Sequence, residues 1–408
     1  MQHVLDMLKE RGFIAQVTFE EDLYKAMERE PITFYLGIDP TADSLHVGHF
    51  MPIIMASHLQ KAGHRPIILC GGGTAMIGDP SGKSDMRKML TKETIASNVA
   101  SIQKQLSRFM DFGEGKACMV NNGDWLLNLN YVDFLREVGA LFSVNRMLTA
   151  ECYKRRLETG LTFLEFNYML MQSYDFLQLF KSHGCRLQIG GDDQWSNMLS
   201  GADLIRRKER EDAFALTCKL IMTHDGKKMG KTEKGALWLD AGRTTPYDFY
   251  QYWRNVADQD VERFLALLTF LPMEEVRRLG ALKDQQINEA KRVLAFEVTK
   301  MIHGEEEARK AADAAQALFA GGGASQDVPT FEVNAQMLAE DNRLTTLLAS
   351  CGLCTSRGDA RKMVQQGAVL VADAKVTDTE TRIDASQIGP DGLLLRKGKK
   401  NYCRLILK

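Results

Sequence analysis

Two histidines at a predicted strand-to-helix junction have the type and spacing to do chemistry. His46 and His49 lie three residues apart in the run His46-Val47-Gly48-His49. On the first turn of a helix this spacing puts both rings on one side. Gly48 lets a nucleotide approach the backbone, and the helix N-terminus offers N–H donors to phosphate. The pattern predicts imidazoles that stabilise charge developing at phosphorus. Taken alone, it equally fits two histidines that cap a surface helix.

A second candidate is a lysine pair in a polar segment rich in Gly and Lys. Lys228 and Lys231 lie three residues apart in the run Lys228-Met229-Gly230-Lys231-Thr232. Two lysines around a glycine suit a mobile loop that closes on polyphosphate. The glycine spacing differs from that of a P-loop. Taken alone, the run is better explained as a charged surface loop.

A third candidate is a polar stripe on a helix that is otherwise apolar. Tyr168, Gln172 and Asp175 lie at positions i, i+4 and i+7, so they share one face. The apolar residues between them predict a buried helix, and a buried polar stripe needs hydrogen-bond partners. Those partners are either other core residues or a bound amino acid.

The elements that must position these residues alternate along the first two thirds of the chain. Strand-like runs end at Asp39-Pro40, at Gly71 and at Gly190-Gly191. Such alternation predicts an α/β fold with a parallel sheet, in which ligands bind beyond the carboxyl ends of the strands. The strand-like runs are 32–38, 65–70 and 185–189, and the helical patterns are 47–61, 91–112, 165–182 and a helix from Asp193.

The last third of the chain has a different organisation. Residues 246–319 have helical periodicity throughout, and the Gly-rich run that follows is typical of a flexible linker. The tail, residues 341–408, carries twelve Lys and Arg against seven Asp and Glu, a balance of +5. This tail is predicted to be a small separate domain with a basic surface that suits RNA.

The two motifs together resemble the paired signature of class I aminoacyl-tRNA synthetases. Residues 46–49, the first signature, match that family's HIGH motif, and residues 228–232, the second signature, match its KMSKS motif with Gly230 and Thr232 in place of serines. The stripe, the run from Gln188 to Trp195 and Tyr35 resemble the bacterial-type tyrosyl-tRNA synthetases in particular. Asp192 departs from that pattern, because relatives often carry Ser there, and its role stays open.

The resemblance implies a role for each matched residue. The catalytic residues would be His46, His49, Lys228, Lys231 and Thr232. The tyrosine-binding residues would be Tyr35, Asp79, Tyr168, Gln172, Asp175 and Gln188. The ATP-binding residues would be Gly37, Asp39, Thr41, Gly48, Gly191, Asp193 and Lys231. The tRNA-binding residues would be Arg357, Arg361 and Lys362, in a tail that resembles the S-four-like RNA-binding domain.

The resemblance also implies an architecture and a reaction. A Rossmann-like catalytic domain (1–235) would carry a dimer-interface insert around 125–162. An α-helical tRNA-binding domain (236–320), a linker (321–340) and a small α+β S-four-like domain (341–408) would follow. The reaction would activate L-tyrosine with ATP and transfer the tyrosine to tRNA(Tyr). ATP would be the substrate and would bring Mg²⁺ with it. No prosthetic group and no metal site are expected. A homodimer is expected.

Composition limits the location and the partners. The formal net charge is −1, so any RNA-binding surface must be a local patch. No stretch reaches the roughly 20 apolar residues that span a bilayer, and the N-terminus lacks the apolar core of a signal peptide. The eight cysteines are scattered, and the pair Cys351 and Cys354 has no second pair at zinc-ligand spacing. A reduced, cytoplasmic location without membrane association is expected.

Three alternatives remain open from the sequence. A nucleotidylyltransferase on the same nucleotide fold shares the H-x-G-H pattern, but such enzymes are usually shorter and lack both the polar stripe and the RNA-binding tail. A synthetase-derived RNA-binding protein without catalysis would not need intact His46, His49, Lys228 and Lys231. A tryptophan-specific synthetase is the nearest alternative within the class, and Tyr35 with Asp175 argues for tyrosine instead.

Overall fold

The protein divides into two compact units, residues 1–308 and 309–408. The computed structural model describes residues 2–81, 91–226, 229–232, 235–319, 329–372, 374–389, 392–398 and 401–408. Each unit has its own sheet, and the larger one carries most of the predicted site residues.

The larger unit alternates strands and helices up to Glu209 and is helical after Pro246. The strands are β1 (Ile14–Val17), β2 (Thr33–Ile38), β3 (Arg65–Cys70), β4 (Cys118–Asn121), β5 (Cys185–Gly191), β6 (Phe214–Cys218), β7 (Lys231–Thr232) and β8 (Gly235–Ala236). The helices are α1 (Val4–Glu10), α2 (Glu20–Arg29), α3 (Phe50–Lys61), α4 (Lys92–Leu106), α5 (Gly123–Leu126), α6 (Tyr131–Glu137), α7 (Val144–Leu148), α8 (Glu151–Thr159), α9 (Phe163–Phe166), α10 (Tyr168–His183), α11 (Trp195–Glu209), α12 (Pro246–Arg254), α13 (Val261–Leu268), α14 (Met273–Gly280) and α15 (Ile287–His303); α16 (Glu305–Phe319) crosses into the second unit.

The main sheet has the order β1-β6-β5-β2-β3-β4. Strands β6, β5, β2, β3 and β4 run parallel, and β1 is an antiparallel edge strand. The predicted α/β fold with a parallel sheet is therefore confirmed. Since β2 lies between β3 and β5, the carboxyl ends of these three strands meet at one edge, where polar side chains are expected to converge.

Helix α3, which follows the first signature, is apolar on nearly every side. Its residues from Phe50 to Leu59 are buried except Pro52, and the buried ones include the polar Ser57 and His58. A helix that is buried all round lies inside a core rather than on a surface. One side faces the sheet, and Phe50 stacks on Trp253 of α12 with ring centroids 6.3 Å apart and planes at 12°. The first signature is thus fixed to both the sheet and the helical segment.

The helix predicted over residues 165–182 is two helices in the structure. Helix α9 ends at Phe166 and α10 begins at Tyr168. Thr162 caps α9, and the carboxylate of Glu165 turns back to accept hydrogen bonds from Thr162 and from Arg156. The ion pair between Arg156 Nε and Glu165 Oε1 (2.9 Å) is buried, and it fixes the segment that precedes the polar stripe on α10.

The smaller unit is an α+β domain with its own apolar core. Its sheet has the order β11-β10-β12-β13-β9, with β9 parallel to β13. The elements are β9 (Thr330–Val333), α17 (Ala335–Asp341), α18 (Leu344–Ser350), α19 (Arg357–Gln365), β10 (Val369–Val371), β11 (Ala374–Val376), β12 (Leu393–Lys397) and β13 (Asn401–Leu407).

The predicted linker, residues 321–340, is too long. Strand β9 and helix α17 already belong to the smaller unit, because β9 pairs with the C-terminal strand β13. A strand that joins a sheet only through a partner about 70 residues away leaves no local signal of its pairing. The Gly-rich part, 320–328, lies outside the described residues.

No helix among the described residues is both long and apolar enough to cross a bilayer.

Candidate active site

One cavity of about 350 Å³ opens at the carboxyl ends of β2, β3 and β5. Fourteen of the residues expected to act in catalysis or to bind tyrosine or ATP line it together, although they are spread over more than 150 positions of the chain. These are Tyr35, Gly37, Asp39, Thr41, His46, Gly48, His49, Asp79, Tyr168, Gln172, Asp175, Gln188, Gly191 and Asp193.

A buried hydroxyl and a buried carboxylate lie at the inner end of the cavity. Tyr35 is fully buried, and its hydroxyl has no hydrogen-bond partner among the described residues. Asp175 is only 1% exposed. Burial raises the pKa of Asp175 to about 8, although hydrogen bonds from its neighbours oppose the shift. Burial and the nearby Asp175 raise the pKa of Tyr35 well above its usual value. This end of the cavity suits one further polar hydroxyl group.

Two side chains that sequence reasoning missed hold Asp175. The Asn122 amide donates to Asp175 Oδ2 at 2.8 Å, and Trp125 Nε1 donates to Oδ1 at 2.7 Å. Asn122 follows β4, a four-residue strand without a clear sequence pattern. The signal that could have revealed it is the run Asn121-Asn122-Gly123, which is typical of a turn after a strand.

A chain of hydrogen bonds leads from Asp175 across the cavity floor. Asn122 also donates to Thr74 Oγ1 at 3.0 Å, and Thr74 donates to Asp39 Oδ1 at 2.7 Å. The hydroxyl of Tyr168 donates to Asp39 Oδ2 at 3.0 Å. The network fixes Asp39, Tyr168 and Asp175 relative to one another, because each member is bonded to the next.

The side of the cavity near Asp79 is rich in hydrogen-bond acceptors. Asp79 accepts from the backbone N–H of Ser81 at 2.9 Å and from Gln194 Nε2 at 2.7 Å. The buried carbonyl oxygens of Gln172 and Gln188 have no partner among the described residues. Acceptors without partners, in a cavity that Asp79 also lines, suit a ligand that brings several N–H donors, such as an ammonium group.

The two histidines of the first signature share one orientation. His46 Nδ1 accepts from the Gly48 backbone N–H at 3.0 Å, and His49 Nδ1 accepts from the His46 backbone N–H at 3.2 Å. In the neutral rings the proton therefore lies on Nε2, the donor atom. The ring centroids are 4.1 Å apart. A Cβ at position 48 would lie 2.6 Å from His46 Cε1, so any larger residue there would displace the His46 ring.

The second signature packs against the first. The backbone N–H of Leu237 donates to Gly230 O at 2.8 Å, and that of Val47 donates to Leu237 O at 3.0 Å. Gly230 has a φ of +87°, and a Cβ there would be 3.1 Å from Val47 Cβ. Lys231 and Thr232 form β7, whereas Lys228 lies outside the described residues. The backbone thus joins the two signatures across about 180 positions.

Asp192, whose role the sequence left open, lies outside the cavity lining. Its Oδ1 accepts from Gln16 Nε2 at 2.7 Å and from Thr217 Oγ1 at 3.0 Å. Gln16 is on β1 and Thr217 on β6, so Asp192 ties the edge strand to the sheet.

The three residues expected to bind tRNA lie on α19 of the smaller unit. Arg357, Arg361 and Lys362 are all exposed, and Ser356 caps the helix by accepting from the Asp359 backbone N–H. Arg361 lies 3.5 Å from Glu380, and Arg357 lies 3.5 Å from Asp341. Exposed pairs at this distance are weak, so phosphate can replace the carboxylates.

Two family models match the chain and together cover most of it. The model for "tRNA synthetases class I (W and Y)" matches residues 27–320. The model for "Tyrosine--tRNA ligase SYY-like C-terminal domain" matches residues 322–405. The boundary between them falls in the Gly-rich segment.

Curated relatives match over the whole length. The chain is 58% identical to the tyrosine–tRNA ligase of Caldanaerobacter subterraneus subsp. tengcongensis, covering 99% of both chains. It is 57% identical to that of Clostridium tetani, covering 100% of this chain and 99% of the relative.

Solved structures agree for the larger part of the chain. A C-terminally truncated mitochondrial tyrosyl-tRNA synthetase of Coccidioides posadasii has a TM-score of 0.66 and 32% identity, covering 77% of this chain and 92% of that chain. The corresponding Aspergillus nidulans structure has a TM-score of 0.70 and 28% identity, covering 78% and 95%.

Proposed function

This chain belongs to the tyrosine–tRNA ligase family of class I aminoacyl-tRNA synthetases, and we propose that its cavity activates L-tyrosine with ATP before transfer to tRNA(Tyr). The observation that carries the proposal is the pairing of Tyr35 and Asp175 at the buried end of the cavity. A phenol hydroxyl that donates to Asp175 and accepts from Tyr35 would give the buried Tyr35 hydroxyl its partner. It would also add a hydrogen bond to those that Asp175 accepts from Asn122 and Trp125. A tryptophan side chain has no oxygen to accept from Tyr35.

The other end of the amino acid is proposed to lie near Asp79. An α-ammonium has three N–H donors, and Asp79, Gln172 and the Tyr168 oxygen offer acceptors on this side. Gln188, buried on β5, is proposed to lie beside the substrate. The carboxylate of the substrate is then left to face the nucleotide.

ATP is proposed to occupy the part of the cavity nearest the two signatures. The Nε2–H groups of His46 and His49 would donate to the phosphates, with Thr41 nearby, and Gly191 with Asp193 would hold the ribose. Lys228, Lys231 and Thr232 would meet the leaving pyrophosphate. Gly37, Asp39 and Gly48 would form the remaining wall. Mg²⁺ would enter with ATP as part of that substrate.

The proposed reaction needs no covalent bond to the protein. A carboxylate oxygen of tyrosine attacks the α-phosphorus of ATP, a new P–O bond forms, and the bond to the β-phosphate oxygen breaks. The electron pair leaves with pyrophosphate, giving tyrosyl-adenylate. A ribose hydroxyl at the tRNA terminus then displaces AMP. The side chains supply position and charge stabilisation.

Tyrosine-dependent exchange between ATP and pyrophosphate, measured with each of the twenty amino acids, tests this function. Exchange with tyrosine alone is expected. Exchange strongest with tryptophan would favour the tryptophan-specific alternative. Absence of exchange with any amino acid would contradict activation altogether, whether the chain is a different nucleotidylyltransferase or an RNA-binding protein.

The smaller unit is proposed to bind tRNA through Arg357, Arg361 and Lys362. A chain ending at Ala324 should keep tyrosine activation within about twofold, because the cavity residues lie between Tyr35 and Ile221. Charging of tRNA should fall at least about tenfold and depend less on salt, since Lys and Arg contacts to phosphate are lost. Pyrophosphate exchange, charging and melting temperature on one preparation check this.

A full-length triple variant with Gln at positions 357, 361 and 362 is the companion to that truncation. It keeps the domain and removes only the charges, so it should lose charging and salt dependence in part. If truncation lowers both activities equally together with the melting temperature, the smaller unit only stabilises the larger one and the tRNA proposal fails.

A homodimer is proposed from exposed apolar side chains in the helical segment between β4 and α10. Eight large hydrophobic residues there are exposed, and Phe163 is 68% exposed. Large apolar side chains exposed within one segment suggest an interface, and a second copy is the partner that family membership favours. Sedimentation should give a mass near twice 45.8 kDa, and a single 45.8 kDa species at micromolar concentration would contradict the dimer. The eight are Leu127, Tyr131, Val132, Leu135, Val144, Leu148, Leu157 and Phe163.

A reducing compartment such as the cytoplasm is proposed as the location. All eight cysteines are free thiols, which supports it, because disulfides persist in oxidising environments. Locating a tagged chain in intact cells tests this, and recovery outside the cytoplasm would contradict it.

A further inference from the structure

The segment that carries the second signature is attached to the helices that follow it. At its start, the buried carboxylate of Asp260 accepts from the His224 backbone N–H and from His224 Nδ1, both at 3.1 Å. Arg263 donates to the same carboxylate at 2.7 Å. The base of the segment is therefore held by the residues around α13, some 36 positions later.

A second attachment lies within the signature, at the hydroxyl of Tyr252 on α12. The Gly230 backbone N–H donates to Tyr252 Oη at 3.1 Å, and the hydroxyl faces Met229 Sδ at 3.5 Å. Burial raises the pKa of Tyr252, so the hydroxyl keeps its proton at neutral pH and remains available as a donor. One side chain thus contacts two consecutive residues of the signature.

The ring of Tyr252 is itself fixed relative to the first signature. It packs edge-on against Trp253 with ring centroids 5.2 Å apart and planes at 84°. Trp253 is fully buried and stacks on Phe50, the first residue of α3 after His49. The hydroxyl is therefore carried on a rigid aromatic cluster that also supports the two histidines.

Gly230 lies between this cluster and the first signature. One side of it faces Val47, where a Cβ would be 3.1 Å from Val47 Cβ, and its carbonyl accepts from Leu237 at 2.8 Å. The Tyr252 hydroxyl binds its N–H. In sequence, Gly230 is flanked by the two lysines that the proposed function places on pyrophosphate. A shift of Gly230 would therefore displace the backbone of Lys231, the next residue.

We propose that Tyr252 is a positioning residue for tyrosine activation, whose hydroxyl holds the Met229–Gly230 backbone of the second signature in the arrangement that adenylate formation requires. The inference rests on the proposed function. Tyr252 acts through the backbone of the signature and is absent from the cavity lining. Its contribution should therefore appear in the activation rate at saturation and leave tyrosine affinity unchanged.

The test compares Tyr252→Phe with Tyr24→Phe in the full chain. Both changes remove one hydroxyl from a half-buried position on a helix, and the Tyr24 hydroxyl on α2 donates to Asp6 Oδ2 at 3.1 Å. Three quantities are measured for each variant: the single-turnover rate of tyrosyl-adenylate formation at saturating tyrosine and ATP, the Kd of tyrosine, and the melting temperature.

Tyr252→Phe should slow adenylate formation roughly 3- to 10-fold, the range expected for one lost hydrogen bond. Its tyrosine Kd should stay within about twofold of wild type, and Tyr24→Phe should behave as wild type in all three measurements. A Tyr252→Phe rate equal to wild type overturns the inference, as does an equal loss in Tyr24→Phe or a loss confined to tyrosine affinity. Failure of the wild-type chain to activate tyrosine would instead remove the proposed function.

Discussion

Replacing Asp175 with alanine should abolish most of the preference for tyrosine over phenylalanine. Phenylalanine lacks the hydroxyl, so in the wild type it would leave the Tyr35 hydroxyl without a partner and Asp175 with only its bonds to Asn122 and Trp125. Discrimination of ~10⁴–10⁵ is the magnitude known for tyrosyl-tRNA synthetase itself against phenylalanine, and it is adopted rather than calculated from this geometry. The ratio of kcat/KM for the two amino acids, measured by pyrophosphate exchange, should fall by a large part of that factor.

The alanine variant also leaves the Asn122 amide and the Trp125 indole N–H without their acceptor. Asp175→Asn, which keeps an oxygen in place, is therefore made beside it, and Asp124→Ala removes an exposed carboxylate on α5, next to Trp125 in the sequence, as the control. Circular dichroism confirms that each variant is folded. A folded Asp175→Ala enzyme with unchanged discrimination would show that another group reads the phenol hydroxyl.

Replacing His46 or His49 with alanine should slow tyrosyl-adenylate formation by roughly 10²-fold, the usual loss when one donor to transition-state charge is removed. Their Nδ1 atoms accept from the backbone, so Nε2–H is the group that faces the phosphates in the proposed complex. Tyrosine affinity should stay within about twofold, because the imidazoles meet phosphate and not the amino acid. Equilibrium binding of tyrosine and single-turnover activation separate the two effects.

Two further variants test whether the loss of rate comes from lost phosphate contact. His183→Ala removes an exposed histidine at the end of α10 and should be silent. His46→Asn keeps an acceptor for the Gly48 N–H, so it separates helix capping from phosphate contact. Loss of tyrosine affinity with a normal activation rate at saturation would mean that the histidines shape the amino-acid pocket instead.

Patterns in the sequence predicted the α/β class of fold and the side chains that could bind nucleotide and tyrosine. His46 and His49, Lys228 and Lys231, and the stripe at 168, 172 and 175 are local patterns, because a short segment sets their spacing on a helix or turn. The alternation of strands and helices predicted the parallel sheet, since burial on both faces imposes that pattern. The matched residues outside these patterns, such as Asp79 and Gln188, came from the family resemblance.

The hydrogen-bond partners of those side chains could be identified only from the three-dimensional arrangement of the strands. Asn122, Trp125 and Thr74 were missed because their partners lie about 35 to 53 positions away and are brought near by the order β2-β3-β4. The assignment of β9 to the smaller unit depended in the same way on a strand near the C-terminus.

The same reason separates the second signature from its support. Residues 228–232 are recognisable in the sequence, but nothing local links Gly230 to Val47 or to Tyr252. Those contacts exist because Phe50 and Trp253 pack in one core and bring α12 beside the first signature. A side chain's chemistry is a property of the residue, whereas its hydrogen-bond partner depends on which distant segments share a core.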